Sequence, residues 1–306
     1  MNDKISKVAV AGATGNLGPV IVDTLVAAGF QVAALSRSIK DIHFPPSVAV
    51  QVVDYSSVDS LTGALNGQDA VVSALGGFTS WEPSLLLVEA AARAHVKRFI
   101  PSDYGINTAN AKATSLPFFK DKDKVHEALA RHAAAGVLSY TPICTGPFLD
   151  RGLETGFLVN VKQKSVVFYD VEDRLFSVTT MADVGRAVAG VLNHPEQTKN
   201  RTVYVQTAET SHKQLTEMVM KTTGSDGWKK EVVSVKDLLE EGYAERKKDQ
   251  PNPFVATYNF VKAAAFGEGY GSHFEKSALD NELFGIKQLN DEELQNLVDE
   301  LVSKII

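Results

Sequence analysis

A doubly wound parallel α/β sheet, followed by a smaller α+β region, is the fold class that this 306-residue sequence predicts. Three observations carry that expectation. A short apolar run near the start breaks at Gly12 and passes into a helical pattern. Strand and helix patterns then alternate through the first half, and the alternation becomes irregular after Pro147. Repeated βα units joined by short turns imply parallel strands with helices on both faces.

In chain order, Val8-Ala9-Val10-Ala11 is apolar at every position, as a strand covered on both faces must be. Residues 16–26 have helical apolar spacing, and 31–36 read as the second strand. The third strand is expected at 48–53, with a helix at 57–65 after it, and the fourth at 69–75. In the helix that follows, Pro83 stands in the first turn, where its missing N–H is harmless. Strand five covers 96–100; a polar loop and a long helix lead to strand six at 138–144. Beyond Pro147, strands are expected at 166–169, 176–179, 202–206 and 228–233. Helices are expected at 183–192, 211–223, 235–248, 254–266 and 291–304. The first domain is therefore set at 1–150, with roughly 176–206 returning to its sheet, and the rest of 151–306 forms a second region.

The glycine turn is the first chemical signal. Gly12, Gly15 and Gly18 are spaced G-x-x-G-x-x-G, with Thr14, Asn16 and Leu17 completing the loop. Strand, glycine turn and helix together place the free N–H groups of a helix start beyond a strand end, where a pyrophosphate binds. The spacing differs from G-x-G-x-x-G, and a tight turn needs glycine for steric reasons alone. At the first strand of an α/β chain, the loop reads as a dinucleotide site.

The second strand ends Leu35-Ser36-Arg37-Ser38, with Lys40 close behind and no acid before Asp41. A guanidinium beside a hydroxyl suits a 2′-phosphate, which a carboxylate would repel, so NADPH is expected over NADH. Asp54 stands where it meets the adenine edge or caps the next helix. Gly76 and Phe78 follow strand four, either along the ribose and nicotinamide or as plain loop.

Composition excludes several classes. A net charge of −6 without a Lys/Arg cluster argues against a nucleic-acid partner. No apolar run approaches a membrane span, and the first strand starts too early to leave room for a signal peptide. The single Cys144 suits a reducing compartment, so a cytoplasmic protein is expected. The histidines are scattered, with none at H-x-x-x-H spacing in a carboxylate-rich setting, so no metal is expected. There is no G-x-S-x-G elbow.

The helix after strand five carries the candidate catalytic residue. Lys122, Val125, His126 and Leu129 share one stripe, and Val125 and Leu129 make it the inward one. Lys120 and Lys124 fall off that stripe. A lysine there holds ribose hydroxyls or donates to an oxygen that gains charge during hydride transfer; otherwise it snorkels to water. His126, one turn on, is a pocket or a structural histidine. Two Tyr-x-x-x-Lys matches, Tyr243 to Lys247 and Tyr258 to Lys262, lie far outside the nucleotide half and read as helix-surface spacings. The polar segment 106–117 is expected to be mobile and to order over substrate or cofactor.

On these residues the chain resembles the NmrA-like and isoflavone-reductase-like branch of atypical short-chain dehydrogenases. The resemblance rests on the glycine loop, Arg37, the turn Pro101-Ser102-Asp103-Tyr104-Gly105 and the lysine helix. Thr180-Met181-Ala182-Asp183-Val184-Gly185 adds a similar strand-to-helix return. It implies a Rossmann-type domain binding NADPH, a C-terminal region covering an aromatic or phenolic substrate, and a catalytic lysine at Lys122, with Lys124 the other mapping. It also places Phe148 and Phe157 beside nicotinamide and substrate, and Tyr104 is a further substrate candidate. The reaction expected is reduction of an aromatic ketone, enone or benzylic ether by a monomer or homodimer. The alternative is a non-catalytic NAD(P)-sensing regulator, since a ribose-binding lysine serves both.

Overall fold

The structure, a computed structural model, describes residues 4–38, 44–76 and 81–306. Strand Lys7–Ala11 (β1) enters a glycine turn and helix Gly18–Ala27 (α1). Then come Gln31–Ser36 (β2), Ala49–Val52 (β3), Val58–Leu65 (α2), Ala70–Ser73 (β4), Trp81–Arg93 (α3) and Arg98–Ile100 (β5). A short helix Ala111–Thr114 (α4) and the long helix Pro117–Ala134 (α5) lead to Ser139–Tyr140 (β6). These six strands form one parallel sheet in the order β3-β2-β1-β4-β5-β6. The order reverses at β1, so the crevice beyond its C-terminal end is the switch point of a Rossmann-type sheet.

The apolar β1 run divides by parity, as the pleat requires. Val8 and Val10 pack with Ile21, Val22 and Leu25 of α1 on one face. Ala9 and Ala11 pack with Leu61, Leu65, Leu87 and Leu129 on the other. Both faces are therefore sealed, and only the loops at the strand ends are free to bind ligands.

The C-terminal region runs Ile143–Cys144 (β7), Leu149–Thr155 (α6), Ser165–Tyr169 (β8), Leu175–Val178 (β9), Met181–Asn193 (α7), Val203–Tyr204 (β10), Ala208–Ser211 (β11) and His212–Thr223 (α8). Lys229–Val233 (β12), Val235–Arg246 (α9), Pro253–Phe266 (α10) and Asp291–Ile305 (α11) complete it. Its strands pair two by two: β7 with β10, β9 with β11 and β8 with β12. A third core lies here, centred on Phe176, Leu215, Phe260 and Val298.

One expectation changes. Strand six is not one strand over 138–144. Pro142 has no N–H for a ladder and splits it into β6 and β7; the Pro142 carbonyl accepts from the Val203 N–H at 3.0 Å, and β7 pairs with β10. The returning segment thus meets β7 instead of extending the six-stranded sheet. The segment 106–117, expected to be mobile, is packed and hydrogen-bonded. Ile106, Ala113 and Leu116 are buried, and Asn110 caps α4 by accepting from the N–H groups of Lys112 and Ala113. Asn107 N–H donates to the Gly271 carbonyl at 3.0 Å, and Lys112 Nζ to the Glu268 carbonyl at 2.7 Å.

A buried arginine ties the return to the sheet. Arg98 donates to the hydroxyls of Ser139, Thr141 and Thr198 and to the Pro195 carbonyl. Burial pulls its pKa down to about 10, opposed by the charge of Glu196.

Candidate active site

The glycine loop is built as its spacing requires. Gly12 has φ +74°, and a Cβ there would stand 2.5 Å from the Ala74 carbonyl oxygen. A Cβ on Gly18 would lie 2.2 Å from the Gly12 oxygen, so α1 can pack this close only with glycine. Gly15 N–H donates to the Gly12 carbonyl at 3.0 Å, closing the turn. Leu17 is the N-cap of α1 and makes no side-chain cap, so no capping side chain satisfies the first N–H groups of the helix. Leu17 is buried and anchors the loop, while Thr14, Gly15 and Asn16 are exposed. A Cβ-free cradle at an uncapped helix start fits a dinucleotide pyrophosphate.

Beside it, the end of β2 forms a tight turn. Ser36 Oγ donates to the Ser38 carbonyl at 2.7 Å and accepts from the Ser38 N–H, so this hydroxyl shapes the turn that presents Arg37. Arg37 is exposed with no carboxylate partner among the described residues. Lys40 and Phe78 lie outside the described residues. Asp54 accepts from Ser56 Oγ and N–H at 2.6 and 2.8 Å, which holds its carboxyl below the usual range. The cap of α2 is Ser57, which accepts from the Ser60 N–H. Gly76 is exposed just past β4.

Sequence reasoning missed Tyr55. Its hydroxyl accepts from the Gly12 N–H at 3.3 Å and donates to the Leu35 carbonyl at 3.2 Å, bolting the glycine loop to the end of β2. A lone tyrosine after a strand carries no spacing signal that would have identified it.

A cleft of about 410 Å³ opens next to the loop. Its floor is the turn after β5, with Asp103, Tyr104 and Thr108. Helix α5 contributes Phe118, Phe119 and Lys122, spaced to share a face. The face of α6 with Arg151, Gly152 and Thr155, together with Phe148 just before it, forms the second wall. Phe157 with Tyr258 and Val261 of α10 closes the third. Asn16 reaches the cleft from the glycine loop. Of the residues singled out in the sequence, Asn16, Tyr104, Lys122, Phe148 and Phe157 meet here. Tyr258, read from the sequence as a surface position, lines the cleft as well, whereas Lys262 does not.

Lys122 is held from behind. Its Nζ donates to the Ser102 carbonyl at 2.7 Å and lies 3.6 Å from Asp103 Oδ1, with the side chain 28% exposed. Asp103 is 4% exposed, and its other oxygen takes a short hydrogen bond from His126 Nε2. Burial opposes charge on Asp103, but the His126 and Lys122 cations outweigh it and hold the carboxyl at about 2. Burial likewise opposes charge on His126, and Asp103 raises its pKa nonetheless. His126 therefore stands behind the carboxylate and does not line the cleft. Lys124 points elsewhere, with Nζ 4.0 Å from the Trp81 ring centroid. The Tyr104 hydroxyl is buried without a hydrogen-bond partner among the described residues, and burial pushes its pKa up.

A switch-point glycine cradle with a lysine in an adjoining aromatic cleft defines a Rossmann-type oxidoreductase architecture. Comparison with known proteins places the chain further. The model of the NmrA-like family matches residues 4–253. Oxidoreductase poxI of Penicillium oxalicum is 29% identical over 98% of this chain and 94% of its own length. Pinoresinol reductase 2 of Arabidopsis thaliana is 27% identical over 91% of this chain and 89% of its own. The structure of AtPrR2 with NADP+ and (+)pinoresinol shares the fold, with a TM-score of 0.74 over 100% of both chains at 21% identity. The chain belongs to the NmrA-like family, and it is an oxidoreductase. Among the described residues, no helix is long and apolar enough to cross a membrane.

Proposed function

We propose that this protein is an NADPH-dependent reductase of aromatic or phenolic ketones, enones or benzylic ethers, with Lys122 as hydrogen-bond donor or general acid. The observation that carries this reading is the position of Lys122, whose side chain lines one cleft with Asn16 of the phosphate loop and aromatic rings from three sides. When bound, NADPH supplies the hydride. The glycine loop and the start of α1 hold its pyrophosphate, and Arg37 takes the 2′-phosphate. Ser102 and Asp103 hold the Lys122 ammonium in place, and it donates toward the substrate oxygen as charge develops there. Asp103 remains ionised because His126 and Lys122 both face it. Phe118, Phe157 and Tyr258 offer flat apolar faces to a substrate ring and exclude water.

The relative named pinoresinol reductase 2 supports a phenolic substrate class. A monomer or a homodimer is the assembly expected for this reading. The reading places the protein in the cytoplasm, where the buried, unpaired Cys144 is stable as a thiol. Titration with NADPH and NADH, then a turnover screen of aromatic ketones, enones and benzylic ethers including pinoresinol, tests it. NADPH preference with turnover that is lost in Lys122→Ala is the expected result. Tight binding without turnover across the screen would replace the reductase reading with that of a dinucleotide sensor.

A further inference from the structure

The cleft holds a second cation that hydride transfer does not use. Arg151 lies on the inner face of α6, between Phe148 and Thr155 and beside Gly152. Among the described residues its guanidinium makes one contact, Nη1 to Glu154 Oε2 at 2.7 Å, and Glu154 is itself 56% exposed. The other partly buried arginines are spent on structure. Arg98 is held by four protein oxygens, Arg174 by two carbonyls and two carboxylates, and Arg201 by a two-pronged pair with Asp280. Arg151 alone of these faces the cleft with most of its donors uncommitted among the described residues. An exposed ion pair three residues apart on a helix is weak, so Glu154 is easily displaced.

The local charge points the same way. In a chain of net charge −6, the cleft lining carries two cations, Lys122 and Arg151, and one carboxylate, Asp103, which also faces His126. With Glu154 displaced, the lining carries an excess of positive charge over aromatic walls, which selects a ring that carries an anion.

We infer that Arg151 is a specificity-determining residue that receives the carboxylate of an aromatic acid, with Glu154 occupying the guanidinium until that acid arrives. The planar fork takes both carboxylate oxygens, and the ring lies against Phe157 and Tyr258. This rests on the reading of the cleft as the substrate pocket, and binding, not turnover, tests it.

The experiment is calorimetric titration of the NADP+-saturated protein with ferulate and with methyl ferulate, which share one ring system and differ in charge. Ferulate is expected to bind roughly tenfold or more tightly than the ester, the ratio a charge-assisted two-pronged contact gives. Arg151→Gln should abolish the ratio while leaving ester affinity in place, and Glu154→Gln should strengthen ferulate binding by removing its competitor. Equal binding of acid and ester, or a preference that survives in Arg151→Gln, overturns the inference and leaves the reductase reading standing. Failure of both compounds to bind overturns the aromatic pocket and the inference together.

Discussion

At the scale of single residues, the site is a chain of charges from His126 through Asp103 to Lys122. The His126 pKa is raised above its ordinary 6.5. Its pairing therefore stabilises the fold fully below that value and is lost as pH rises through the raised one. Asp103 behaves oppositely, because its pKa falls from 3.8 to about 2; its contribution is present above 3.8 and disappears as pH drops through the lower value. Asp103→Asn leaves two cations facing a neutral amide and should destabilise the protein by about 3 kcal/mol, measurable by denaturant unfolding. The same variant should lose the decline in Tm expected of the wild type as pH rises from 6.5 through the raised His126 value. Arg37→Ala should weaken NADPH by about 10- to 100-fold, the worth of a charge-assisted contact, while NADH affinity changes little. An unchanged NADPH to NADH ratio would remove Arg37 from the 2′-phosphate.

At the scale of elements, the glycine loop and α1 make the sharpest case. Gly18→Ala would push a methyl group against the Gly12 oxygen, a backbone atom that cannot step aside. The start of α1 must then shift, and NADPH affinity should fall by about tenfold or more in a direct titration. This element was legible in the sequence because steric need and spacing coincide at three glycines. The inward stripe of α5 was legible for a similar reason, since Val125 and Leu129 fix its face and leave Lys122 on the cleft side. Other elements were not. Helix α6 has seven residues, contains Gly152 and starts without a side-chain cap, so neither propensity nor capping marks it, and Arg151 was passed over with it. The break of strand six at Pro142 could have been read from its missing N–H, but the partner that makes the break useful, Val203, lies far along the chain. Asp103 stood in the quoted turn without a role, because only the fold brings His126 and Lys122 to it.

At the scale of the whole molecule, the chemistry sits where two kinds of order meet. The sheet end supplies the glycine loop and the Asp103 turn, while α6, α10 and Phe157 supply walls from the C-terminal region. Replacing wall residues should therefore change substrate capture more than the chemical step. Phe157→Ala together with Tyr258→Ala should raise KM for an aromatic substrate by about tenfold or more while kcat falls far less, as loss of stacking area implies. A change remote from the cleft should do neither. Leu294 of α11 is buried in the third core, and Leu294→Ala should destabilise the protein by about 2–5 kcal/mol without altering NADPH affinity. The parallel βα units of the nucleotide half could be read from local patterns, but not their order, since β2 and β1 lie between β3 and β4. The C-terminal half could not, because its strands pair in twos across long sequence separations and its helices close on a core that no local period encodes.

The central claim is that Lys122 supplies the proton or hydrogen bond that accompanies hydride transfer in this cleft. The most direct measurement is single-turnover oxidation of protein-bound NADPH by whichever aromatic ketone, enone or benzylic ether the wild type turns over, comparing wild type with Lys122→Met. The expected result is a rate lower by roughly 10²- to 10⁴-fold in the variant, with NADPH still bound. Equal rates in the two proteins would contradict the claim and leave Lys122 a cofactor-binding residue only.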